Sequence, residues 1–127
     1  MLFQIRRADG AIDPHASGTL VQLDGRTQHL AKNDFSLVPE QYWQSPESGA
    51  RYPTAWTLTI PDQQLKLRVT AAMPNQELRT AASTGVTYWE GSVIATGTSG
   101  SQDIQGRGYL EMTGYSGERM GSMLRGQ

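Results

Sequence analysis

Thr87-Tyr-Trp-Glu-Gly-Ser-Val-Ile-Ala-Thr-Gly97 and, after a short glycine-containing break, Gly106-Arg-Gly-Tyr-Leu-Glu-Met-Thr-Gly-Tyr115 are the stretches whose reading decides the fold. With period two, the first separates Tyr88, Glu90, Ser92, Ile94 and Thr96 from Trp89, Gly91, Val93 and Ala95. The second separates Arg107, Tyr109, Glu111 and Thr113 from Gly108, Leu110 and Met112. Two β-strands joined as a hairpin follow. A four-residue loop, Gly97-Thr98-Ser99-Gly100, sets Thr96 against Ser101, Glu90 against Arg107, Tyr88 against Tyr109 and Trp89 against Gly108. An opposite-charge pair and an aromatic pair then share one face, and an indole lies over a strand glycine on the other.

Upstream, residues 2–8 and 18–23 read as strands, and Asp24-Gly25 is a two-residue turn into a strand at 27–30. A run through Phe35, Leu37 and Val38 is weakened by Pro39 and continues through Gln41-Tyr-Trp-Gln44 to a loop at Ser45-Pro46 and Ser48-Gly49. Trp56, Leu58 and Ile60 alternate with Thr57 and Thr59, and after Pro61-Asp62 the set Leu65, Leu67 and Val69 alternates with Lys66 and Arg68. This second hairpin has one apolar and one wet face. Residues 76–85 are the one place where a short helix fits, with a loop as the alternative, and residues 116–127 form a tail without period. The sum is an all-β antiparallel meander of about eight strands with at most one short helix, and closure into a barrel removes its sticky edges.

Composition narrows the function classes. At 127 residues the chain holds one core, and a net charge of -1 with scattered Lys and Arg gives no field for phosphates, so nucleic acid is not an expected partner. Without cysteine there is no disulfide framework, thiolate nucleophile or Cys-based zinc site. The start, Met-Leu-Phe-Gln-Ile-Arg-Arg, lacks the apolar core of a signal peptide, and no run has the length of a membrane span. The chain contains no Gly-x-Ser-x-Gly elbow, no phosphate-cradling loop and no His-Glu-x-x-His, and Gly106-x-Gly108 belongs to a strand.

Several side chains remain as candidates for chemistry. Glu90 with Arg107 is either a polar site at a cavity end or a cross-strand ion pair that fixes register. Glu111, with Asp103 placed on a neighbouring strand, is the other acidic candidate, since two carboxyls divide acid and base roles when their environments push their pKa values apart. His15 and His29 have no companion at metal-ligand spacing, so no metal is expected. Trp43, Trp56 and Trp89 with Tyr42, Tyr52, Tyr88, Tyr109 and Tyr115 either line a pocket for a flat or polyene ligand or fill the core and rim. Trp43, Met120 and Met123, if exposed, define a self-associating module that runs as a dimer.

Tyr88-Trp-Glu-Gly91, Gly106-Arg-Gly-Tyr-Leu-Glu-Met-Thr-Gly-Tyr115, Arg6-Arg-Ala-Asp-Gly10 with Ser17-Gly-Thr19, and Gly49-Ala-Arg-Tyr-Pro53 before Trp56 carry a resemblance. Together they resemble the second half of the AttH and carotenoid 1,2-hydratase-like (hydroxyneurosporene synthase-like) family. That resemblance implies a lipocalin-like β-barrel over residues 1–115, normally the second of two barrels, with the sister N-terminal barrel absent from this chain. It implies an apolar, terpenoid- or carotenoid-like small molecule as ligand, and for some relatives a hydro-lyase activity that adds water across a carbon-carbon double bond without cofactor. It also implies a bacterial, extracytoplasmic setting. Residues suited to such a ligand are Trp56, Tyr88, Trp89, Glu90, Arg107, Tyr109 and Glu111, none of which the resemblance singles out as catalytic. The alternative is a purely structural domain that supports a catalytic partner.

Overall fold

The structure, a computed structural model, describes residues 1–80 and 85–116. It is all-β and antiparallel, with single 3₁₀ turns at Lys32–Asp34 and Pro61–Gln63 as its only helical segments among the described residues. Strands β1 (Leu2–Phe3), β2 (Ser17–Val21) and β3 (Thr27–Ala31) form a three-stranded sheet in that order. The larger sheet contains β4 (Ser36–Gln44), β5 (Arg51–Ile60), β6 (Leu65–Ala71), β7 (Glu77–Arg79), β8 (Thr87–Ser99) and β9 (Gln102–Met112). Among the described residues this makes nine strands, where the sequence led to about eight.

The order across the larger sheet is β4, β5, β6, β8, with β9 on the far edge of β8. Strands β6 and β7 lie end to end along one edge of β8, β6 against residues 93–99 and β7 against residues 87–89. Residues 72–76 loop out between them, and the side chain of Gln76 fills the gap. Its Oε1 accepts the Ser92 backbone N–H at 2.9 Å and its Nε2 donates to the Ser92 carbonyl at 3.2 Å, as a strand residue would. A Cβ at position 91 would fall 1.7 Å from Gln76 Oε1, so any larger residue there has to displace the Gln76 side chain from Ser92.

The β8–β9 hairpin forms with its faces as expected but in a different register. Its loop is the two residues Gly100-Ser101, not four, so Ser99 faces Gln102, Glu90 faces Glu111, Ser92 faces Tyr109 and Ile94 faces Arg107. Gly100, at φ 59°, takes the positive-φ first position that a tight two-residue loop needs, and its N–H donates to the Gln64 carbonyl at 2.9 Å. The tighter turn adds the pairs Gly97–Ile104, Thr98–Asp103 and Ser99–Gln102, and sets Val93 over Gly108 and Leu110 over Gly91. Against this gain, the like-charged pair Glu90–Glu111 costs a few tenths of a kcal/mol, roughly 0.2–1. Packing and ladder length outweigh the charges.

Three other expectations are corrected. Only Leu2–Phe3 of the first predicted strand pairs, and a lone bridge joins Arg6 to Ile12. The stretch from Gln76 yields β7 rather than a helix, because the free edge of β8 recruits it; residues 81–84 lie outside the described ones. The Asp24-Gly25 hairpin turns over three residues, with Gln22 paired to Arg26 and Gly25 at φ 88°. The rest of the tail, residues 117–127 with Met120 and Met123, is likewise outside the description.

Apolar burial gathers in two clusters on one face of the larger sheet. Leu30, Phe35, Leu58 and Ile60, with Leu2 and Leu20, join the three-stranded sheet to the ends of β5 and β6. Ala50, Tyr52, Trp56, Trp89, Val93 and Met112 form the second cluster, near the opposite end of the strands.

Candidate functional site

Cross-strand register defines the rows of side chains that share this inner face. One row runs Trp56, Val69, Ala95, Gly106 across β5, β6, β8 and β9, and the next runs Leu58, Leu67, Gly97, Ile104. Side-chain size falls toward β9 along the first row. Leu58 packs under the three-stranded sheet, whereas Gly106 and Gly108 are exposed and Ala95 is half-buried. A Cβ added at Gly106 would meet nothing within 4 Å. The inner face of β8–β9 is thus an open floor of small residues walled by Trp56, Val69, Val93 and Leu110. Separately, an open hollow of about 480 Å³ at the hairpin end is lined by Thr96, Gly97, Thr98, Asp103, Ile104 and Gln105, of which Thr96, Thr98, Asp103 and Gln105 belong to the opposite face of the sheet.

The sheet divides the residues singled out from the sequence. Trp56 (7% exposed) and Trp89 (0%) point inward with Val93 and Met112. The Trp89 indole N–H donates to the Pro74 carbonyl at 2.7 Å, which pins the loop at 72–76. The Trp56 Nε1 is buried without a hydrogen-bond partner. Tyr88, Glu90, Arg107, Tyr109 and Glu111 share the opposite, outer face. There Tyr109 is 67% exposed, and its phenol is raised by desolvation first, then by the charge and hydrogen bonding of Glu90, with Glu111 adding to it. The expected Glu90–Arg107 pair does not form, since Arg107 stands opposite Ile94. Asp103 and Glu111 both belong to β9, eight residues and roughly 26 Å apart along the strand, too far to act as a pair.

The best-connected carboxylate is one that sequence reasoning passed over. Glu77 Oε1 accepts the Ser45 hydroxyl at 2.6 Å, and its Oε2 accepts Ser48 at 2.6 Å and Tyr52 at 2.8 Å. Ser45 Oγ also accepts the backbone N–H groups of Glu47 and Ser48, and Ser48 Oγ that of Ala50, so the β4–β5 loop is built around these hydroxyls. Desolvation alone would raise the Glu77 carboxyl; the three hydroxyl donors and the charge of Arg79 outweigh it and leave the pKa lowered. Burial first, and then the contact with Glu77, raise the Tyr52 phenol. Glu77 is therefore ionised at neutral pH and is an acceptor, not a proton donor. The partners lie 25 to 32 residues away in sequence, which no local spacing signals.

Aromatic residues cover this cluster. Trp43 stacks on Tyr52 with centroids 6.2 Å apart, Tyr115 lies 5.5 Å from Tyr52, and the Arg6 guanidinium sits 3.5 Å above the Tyr115 ring. Tyr42 is an outer residue under Arg51, at 4.0 Å. Among the histidines, His15 contacts Asp13 at 2.8 Å in the exposed loop, where His15's backbone N–H foremost lowers the Asp13 carboxyl. No group of three or more His, Asp or Glu among the described residues is placed to hold a metal ion. No helix of the described residues is long and apolar enough to cross a membrane.

Two sheets, an apolar inner face and the sequence words along them define an antiparallel β domain of a known kind. The chain belongs to the AttH-like family, which it matches over residues 1–115. Among solved structures, it is similar to an AttH protein of Nitrosomonas europaea, with 35% identity and a TM-score of 0.76 over 90% of this chain and 34% of that one. It shares the fold of kievitone hydratase from Nectria haematococca, with 19% identity and a TM-score of 0.68 over 88% of this chain and 33% of that one. The chain spans about a third of the length of each. No curated protein matches it in sequence.

Proposed function

We propose that residues 1–115 are a lipocalin-like barrel domain that binds an apolar, terpenoid- or carotenoid-like small molecule, alone or by completing such a site with a sister barrel. The observation that carries this reading is the half-covered inner face. The three-stranded sheet packs over Leu58 and Ile60 but leaves the floor of Ala95, Gly106 and Gly108 open. Apolar surface of this shape gains about 25 cal/mol per Å² when a ligand covers it. On this reading Trp56 faces the ligand directly and Trp89 backs the same wall. Tyr88, Glu90, Arg107, Tyr109 and Glu111, on the outer face, meet the sister barrel.

Catalysis is not part of the proposal for this chain. Acid-catalysed hydration needs a carboxylic acid beside the alkene, whereas Glu77 is held as a carboxylate and Glu90 and Glu111 stand on the far side of the sheet from the floor. The end of the inner face around Tyr52 and Trp89, both 0% exposed, is filled by the chain's own side chains. That filling favours the second reading, a structural domain that orients a catalytic partner. Titration with a conjugated polyene hydrocarbon, followed by tryptophan fluorescence, separates the two. Saturable quenching at micromolar polyene supports a ligand domain, and its absence from folded protein leaves the structural one.

A further inference from the structure

We infer that the inner face selects apolar molecules carrying one oxygen, a hydroxyl or carbonyl that accepts the indole N–H of Trp56; this rests on the ligand-binding reading above. Trp56 is 7% exposed, and its Nε1 is the one buried side-chain nitrogen or oxygen without a hydrogen-bond partner among the described residues. Trp89 shows the contrast, since its Nε1 is equally enclosed but donates to Pro74. A buried donor left unpaired carries a standing cost that any acceptor reaching it relieves. Among the described residues none supplies an acceptor to it.

The position of Trp56 says what kind of molecule brings the acceptor. Trp56 heads the row Trp56, Val69, Ala95, Gly106, which ends in open space above Gly106. Three strand spacings of about 4.8 Å each make this row roughly 14 Å long. Its surface beyond Trp56 is hydrocarbon and backbone only, with no charged side chain to meet a carboxylate or phosphate. The matching ligand is an extended or flat isoprenoid-sized body with its oxygen at the Trp56 end and its hydrocarbon over Ala95 and Gly106. The N–H is enclosed in the free protein, so binding requires a side-chain shift of the kind common at pre-formed sites.

The test is calorimetric titration of the full chain with farnesol and with the corresponding hydrocarbon lacking the hydroxyl, in wild type, Trp56→Phe and Gly106→Leu. Farnesol is expected to bind wild type more tightly than the hydrocarbon by about three- to tenfold, the range of one neutral hydrogen bond. Trp56→Phe keeps an aromatic wall and removes the donor, so it should abolish that preference while leaving hydrocarbon affinity within about twofold. Gly106→Leu fills open space, leaves the fold intact by circular dichroism, and should weaken both ligands. Equal binding of the two ligands to wild type, or a preference that survives Trp56→Phe, overturns the oxygen assignment with ligand binding intact. No binding of either ligand to folded wild type overturns the ligand reading, and the inference with it.

Discussion

Replacing Glu77 by alanine tests whether the clamped carboxylate holds the β4–β5 loop to β7. The substitution strips one acceptor from Ser45 and Tyr52, which are 2% and 0% exposed, and one from the half-buried Ser48. A buried hydroxyl left without its partner costs about 1–3 kcal/mol, and the half-exposed Ser48 recovers most of its loss from water. The expected destabilisation is about 3 kcal/mol, roughly a 10 °C fall in Tm for a domain of this size. Tyr52→Phe removes a donor and leaves Glu77 with two, so it should cost about 1 kcal/mol. The double variant should fall short of the sum by about 1 kcal/mol, because the stranded phenol is gone. Urea unfolding of the four proteins measures all of this. A cost below about 1 kcal/mol for Glu77→Ala, or strict additivity with Tyr52→Phe, would refute the clamp.

The clamp also titrates. The folded-state pKa of Glu77 lies below its ordinary value of 4.5, so its stabilisation is fully present above that value and is lost as pH falls through the folded pKa. The difference in unfolding free energy between wild type and Glu77→Gln should be flat from pH 7 to about 5 and shrink below 4.5; a difference that grows on acidification contradicts the assignment. Gly91→Ala should push the Gln76 amide off Ser92 and cost about 2 kcal/mol, while Gly91→Ala on a Gln76→Ala background should cost little; equal penalties in both backgrounds would mean that the amide is not what the glycine accommodates. Gly97→Ala places a Cβ 2.0 Å from the Lys66 carbonyl oxygen in the middle of the β6–β8 ladder, and a soluble, wild-type-like Tm for it would show the strands to be spaced otherwise.

The sequence made the strands and faces legible wherever burial is one-sided. Leu65, Leu67 and Val69 against Lys66 and Arg68 is period two written plainly, and β6 lies where that pattern puts it. Pro39 was tolerated because β4 is an edge strand, and Pro53 because β5 gains its β6 neighbour only from Ala55 onward. Register was less visible. Gly97 and Gly100 are both able to turn the β8–β9 hairpin; ladder length and the Gly100–Gln64 contact from another hairpin place the loop at Gly100-Ser101 and leave Gly97 paired with Ile104 inside the ladder. Strand β7 escaped notice because Glu77-Leu-Arg inverts the usual pattern: Leu78 is 41% exposed, while Glu77 is the half-buried residue. The clamp and the unpaired Trp56 N–H are tertiary facts. Each depends on what lies opposite in space, and Ser45, Ser48 and Tyr52 give no sign in sequence that one carboxylate binds all three.

The central claim is that the ligand lies on the inner floor of β8–β9, and intermolecular nuclear Overhauser effects from a bound isoprenoid to assigned methyl groups test it most directly. Contacts to the methyls of Val69, Val93 and Ala95 are predicted, and they should vanish in Gly106→Leu. Contacts instead to Ile94, which is 49% exposed on the opposite face of the same strand, would place the ligand outside and contradict the account.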